Sequence, residues 1–139
     1  MTTQGGNYSV TDTGPLEGLP ERELNGVYGK YFTRKELGLT GCEVSLNCLP
    51  AGAATPFVHA HKLNEEVYIV VRGGGTCYVD GDEFPVREGS VIRVAPAGAR
   101  ALQAGEHGLY YICVQAQAGS LTRATFDDGF KVEARPSWM

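Results

Sequence analysis

The chain has 139 residues with 12 Lys and Arg against 16 Asp and Glu, a formal net charge of −4, and it carries no basic cluster, so nucleic acid is not an expected partner. Its apolar runs fall far short of the roughly 20 residues that cross a bilayer as a helix, which excludes a helical membrane span and leaves one globular domain with material for a single core. Met1-Thr2-Thr3-Gln4-Gly5-Gly6 lacks the charged and apolar regions of a secretory leader, and the expectation is a cytoplasmic protein.

Residues 1–24, rich in Gly, Thr, Pro and Asp, read as an irregular N-terminal arm, flexible or loosely docked, with a short helix at 21–25. Residues 25–118 carry a β pattern. Strands are expected at 27–33, 42–49, 57–61, 66–72, 76–79, 83–86, 90–95, 100–104 and 109–116, with one further short helix at 33–37. Asp80-Gly81 between two of these runs predicts a two-residue hairpin turn, because both central positions of that turn want φ > 0. The 19 glycines and 7 prolines punctuate the runs in the manner of an antiparallel sandwich or barrel, and no internal repeat is visible. Residues 119–139 form a C-terminal arm with a turn at Asp127-Asp128-Gly129 and an edge strand at 130–133. Trp138, the sole tryptophan, is expected to pack on its own barrel or on a second subunit, since a large aromatic loses much by standing in water. Cys42, Cys48, Cys77 and Cys113 are widely spaced within apolar runs. They read as buried free thiols rather than as a disulfide framework or a zinc site.

The most informative stretch is His59-Ala60-His61 with Glu66 and Gly73 beyond it. In an extended segment alternate side chains share a face, so His59 and His61 point together while Ala60 points away. Lys62, Leu63, Asn64 and Glu65 turn the chain back, and Glu66 opens the apolar run Val67-Tyr68-Ile69-Val70-Val71. Two imidazoles and one carboxylate are the facial ligand set of a non-haem divalent metal.

Gly52, His59, His61, Glu66 and Gly73, followed by Gly89, Pro96 and Gly98, resemble the two motifs of the cupins, with one extra residue in each. The resemblance covers roughly residues 40 to 116. It implies a single antiparallel jelly-roll β-barrel, the double-stranded β-helix, with irregular arms, and a homodimer as the assembly. It also implies a divalent metal held by His59, His61 and Glu66. The second motif would supply a fourth ligand where this chain has Ala101, with no histidine or carboxylate within three residues of it.

Other residues are weaker pocket candidates. Tyr68 shares strand parity with Glu66 and is expected to face the same interior. Arg93, in an otherwise apolar run, either reaches solvent, pairs with a carboxylate or clamps an anionic substrate. Gln103 is a candidate reader of a polar ligand, as are Gln115 and Gln117, and His107 lies in a polar loop tip. Two functions of different class follow. One is a metal-dependent enzyme, of dioxygenase or isomerase type, acting on a small oxygenated or carboxylated molecule. The other is a non-catalytic barrel that binds a sugar or organic acid with weak or no metal. Imidazole and carboxylate suit Fe, Mn, Zn, Ni and Co alike.

Overall fold

The computed structural model describes residues 2–139 and is built mainly of antiparallel strands. Strands β1 (Thr2–Gln4) and β2 (Ser9–Thr11) form a hairpin, a 3₁₀ turn covers Leu16–Glu21, and β3 (Glu23–Leu24) pairs with β4 (Val27–Tyr28). Then come β5 (Lys30–Phe32), helix α1 (Arg34–Leu37), β6 (Glu43–Leu49), β7 (Asn64–Val79), β8 (Asp82–Arg87), β9 (Val91–Val94), β10 (Arg100–Gln117) and a 3₁₀ turn at Thr125–Asp127. The main sheet runs β5-β6-β10-β7-β8, with β9 also on β7 and every pair antiparallel. Placing β10 between β6 and β7 requires a crossover, as the jelly roll does.

Two long bent strands organise the fold. Glu66–Ile69 of β7 pairs with β9, whereas Gly74–Val79 pairs with β8. Strand β10 follows the same bend, and its register against β7 shifts between Ala104 and Leu109. Glycine is required at the corner. A Cβ at Gly73, where φ is +73°, would lie 2.1 Å from the carbonyl oxygen of Gly108, and one at Gly75 would lie 1.9 Å from that of Gln103. Runs 66–72 and 76–79 are therefore one strand, as are 100–104 and 109–116, because these glycines bend the ladder without ending it. The irregularity also changes parity in β10, from buried Arg100, Leu102 and Ala104 to buried Leu109, Tyr111 and Cys113. Tyr68, Val70, Cys77, Val86, Val94, Leu102, Leu109 and Tyr111 belong to one core cluster. All four cysteines are free, three of them buried. The Asp80-Gly81 hairpin forms as expected, with φ of +50° and +98° and Val79 opposite Asp82.

Other expectations are corrected. Residues 57–61 form no regular strand; a single bridge joins His59 to Arg100. Run 27–33 divides at Gly29, whose φ is +76°. The helix at 21–25 is absent, since this stretch supplies β3 and its turn, whereas the helix at 33–37 is found as α1. The N-terminal arm is ordered into elements that dock: Ser9 Oγ donates to the Leu37 carbonyl at 2.6 Å, Leu19 is buried, and Arg72 pairs with Glu17 at 2.9 Å. No strand forms at 130–133, and Trp138 is 81% exposed, so it does not pack on its own barrel. Among the described residues no helix is long and apolar enough to cross a membrane.

Candidate metal centre

The segment holding the two histidines is fixed by backbone bonds rather than by a full strand. His59 N donates to Arg100 O at 3.1 Å, Arg100 N returns to His59 O at 2.9 Å, and His61 N donates to Pro96 O at 2.8 Å. The two imidazoles lie on one side, ring centroids 5.2 Å apart. Glu66, near the start of β7, faces them. Its Oε1 is 3.2 Å from His61 Nε2 and 3.7 Å from His59 Nε2, and one donor atom from each of the three residues lies within 4.8 Å of the others. Donors each about 2.1 Å from one ion stand roughly 3.0–3.5 Å apart at octahedral or tetrahedral angles, so the set needs only small adjustment to hold a divalent metal. His61 Nε2 is buried without a hydrogen-bond partner, as a nitrogen awaiting a metal would be.

Glu66 is 4% exposed. Its Oε1 accepts from the Tyr68 hydroxyl at 3.0 Å and its Oε2 from the Cys113 thiol at 2.9 Å. Burial by itself would raise the carboxyl, but the bonds from Cys113 and Tyr68 and the charges of His61 and Arg100 outweigh it and hold the group below its ordinary value. The carboxylate stays ionised and is oriented by its neighbours, as a metal-binding carboxylate needs. For His59 burial lowers the pKa, with Glu66 opposing and Arg100 adding to the depression. A neutral imidazole keeps the lone pair that ligates metal.

Arg100 is one residue the sequence reading missed. It is 1% exposed, its Nη2 donates to Ala95 O at 2.8 Å, and its Nη1 lies 3.4 Å from Glu66 Oε1. Nε and Nη1 form no hydrogen bond. Because of the β10 parity, Arg100 and not half-buried Ala101 brings its head group to the carboxylate. A guanidinium thus stands beside the three donors.

The site opens into a cavity of about 400 Å³ lined by His59, His61, Glu66, Tyr68 and Arg100, by Val27, Phe32, Phe57 and Leu102, and by Lys30, Asn47 and Gln115. Tyr68 lies where its parity put it. Of the three outcomes open to Arg93 the structure takes the first two and not the substrate clamp: in the β7·β9 register it faces Val67 while Val94 faces Glu66, so its side chain points outward, 68% exposed and 3.8 Å from Glu65. Gln103 is also corrected, being exposed on the face opposite to buried Leu102 and Ala104. His107 is exposed beside Glu106. Cys113 and Lys30 enter the site unforeseen. Cys113 shares parity with Tyr111 in one strand, a signal that was available, whereas the place of Lys30 depends on β5 pairing with β6.

A family model described as cupin domain matches residues 45–106. The chain is 38% identical to a cupin protein from Bacteroides fragilis, covering 81% of this chain and 97% of that one with a TM-score of 0.72. A cupin 2 conserved barrel domain protein from Salinispora arenicola is 17% identical over 78% of this chain and 91% of its own, with a TM-score of 0.63. A predicted oxalate decarboxylase of Thermotoga maritima is 21% identical over 53% and 64%, with a TM-score of 0.51. These last two likenesses concern the fold alone. No curated protein matches the chain.

Proposed function

The chain belongs to the cupin family, and on that premise we propose that its barrel binds a divalent metal through His59, His61 and Glu66 and acts there on a small oxygenated or carboxylated molecule. The observation that carries this reading is the convergence of three donor atoms within 4.8 Å, with His61 Nε2 buried and making no hydrogen bond, at the wall of a cavity large enough for such a molecule. A bound divalent ion would supply Lewis acidity, polarising a carbonyl or holding a chelating oxyanion, or activating water or dioxygen. The chain's own residues have separate tasks. Tyr68 and Cys113 orient Glu66 through its two oxygens. The side chains of Phe32, Phe57 and Leu102 line the cavity with apolar surface, Leu102 buried and the two phenylalanines exposed at its mouth. The fold hosts many chemistries, so the choice between oxygenation and isomerisation rests on the metal and the ligand rather than on the barrel.

The Arg100 guanidinium supports a second reading, in which the cavity binds a small organic acid or sugar without catalysis and with little metal. One elemental analysis separates the two. Untagged protein is compared with a His59→Ala/His61→Ala double variant, before and after incubation with Fe(II), Mn(II), Zn(II) and Ni(II). The expected result is near-stoichiometric metal in the native protein and none in the variant. Metal-free native protein after every incubation would overturn the metal reading and leave the ligand-binding barrel.

A further inference from the structure

Lys30 sits on the cavity wall. On β5 it lies opposite Asn47 of β6, and its Nζ donates to Asn47 Oδ1 at 2.8 Å. The amide is fixed in that orientation, because Asn47 Nδ2 donates to Ser45 Oγ at 2.9 Å and toward Tyr111 O at 3.4 Å. An ammonium has three donors, and Asn47 takes one. None of the ion pairs among the described residues involves Lys30. Burial lowers its pKa, against the opposing influence of Cys113 and Glu66, so the protein environment does not favour the charge it carries.

Among the described residues Glu66 is the only carboxylate lining the cavity, and Arg100 already faces it. One carboxylate therefore stands against two cations before any metal enters, and a divalent ion makes the excess larger. Most of the remaining wall surface is apolar, with Val27, Phe32, Phe57 and Leu102 beside polar Ser45, Thr55 and Gln115. A partly buried ammonium held only by one amide oxygen and by the Phe32 ring, whose centroid is 5.7 Å from Nζ, still lacks an anionic partner, and that is costly unless an anion completes it.

We infer that this cavity takes a small monocarboxylate with an apolar body, and that Lys30 Nζ holds the carboxylate by charge-assisted hydrogen bonds while the apolar wall takes the remainder. This deepens the proposed function by naming the ligand class, and it rests on that reading only in taking the same cavity as the ligand site. Lys30 is a recognition residue whose charge is read directly in binding.

Isothermal titration of the full chain, with and without Zn(II), against hexanoate, benzoate and 3-phenylpropanoate, each beside its neutral amide, tests the assignment. At least one carboxylate is expected to bind saturably, with its amide about tenfold weaker. Lys30→Gln is expected to weaken the carboxylate about tenfold and to leave the amide unchanged, whereas Lys30→Arg stays within about threefold of native. Near-ultraviolet circular dichroism of each variant establishes that the barrel is intact. Equal binding of acid and amide, an unchanged acid affinity in Lys30→Gln, or no saturable carboxylate binding by the folded native protein would each overturn the inference. A parallel Zn(II) titration of native and His61→Ala protein keeps the readings apart. Lys30-dependent carboxylate binding without Zn(II) binding would sink the metal site alone, and Zn(II) binding without carboxylate discrimination would sink the Lys30 assignment alone.

Discussion

At Glu66 burial and charge pull in opposite directions, and the neighbours decide the outcome. A folded-state carboxyl held below its ordinary value of 4.5 contributes stability that is fully present above the unfolded value and is lost as pH falls through the folded one. Glu66→Gln is accordingly expected to flatten the acid limb of the stability profile below about pH 4.5, measured as melting temperature against pH. An acid limb unchanged from native would show that the carboxylate gains nothing from its partners. Arg100 acts on the same group from 3.4 Å. Its fixed positive charge opposes a divalent ion at Glu66, and Arg100→Gln is expected to raise Zn(II) affinity about tenfold, a modest figure for removing a near charge at a partly screened site. Isothermal titration checks this. A lower affinity would mean that the guanidinium serves the metal site by orienting Glu66. Because Arg100 is a buried group, the thermal transition of the variant should be measured beside the titration.

At the level of elements, the His-x-His segment and the bent strands need each other. His59 is tied by two backbone bonds to Arg100, the first residue of β10, and β10 can hold both halves of β7 only by turning at the glycine corner. Gly73→Ala is expected to cost about 2 kcal/mol or more in urea unfolding, because the new methyl meets a backbone oxygen and the residue must keep a positive φ. A loss under about 0.5 kcal/mol would mean that the corner relaxes freely. The fold was largely legible at this level. Period-two patterning located most of the strands, and Asp80-Gly81 located the hairpin. What was missed were joints: the merging of adjacent runs into β7 and β10, and the loss of strand character at 57–61. Such joints depend on where a second strand approaches, which local pattern does not encode.

For the whole molecule, the C-terminal arm is the part whose single-chain structure leaves most apolar surface open. Leu121, Phe126, Phe130, Val132, Trp138 and Met139 are all exposed, a set that one barrel does not cover. A two-fold dimer that covers them predicts twice the chain mass in light scattering, and a monomer once residues 119–139 are deleted. A monomeric full chain would remove the dimer expectation, and a dimer that survives the deletion would move its interface to the barrel.

The sequence by itself determined the β architecture and pointed to the family and to His59, His61 and Glu66 as candidates, because alternation along extended backbone and the spacing of glycines are local properties. Only the tertiary structure decided which other side chains join them. The parity change in β10 turns Arg100 inward, the β7·β9 register turns Arg93 outward, and the pairing of β5 with β6 brings Lys30 to the cavity beside Asn47. Each of these depends on a register between strands distant in the chain, and a one-residue change of register moves a side chain to the opposite face of the sheet.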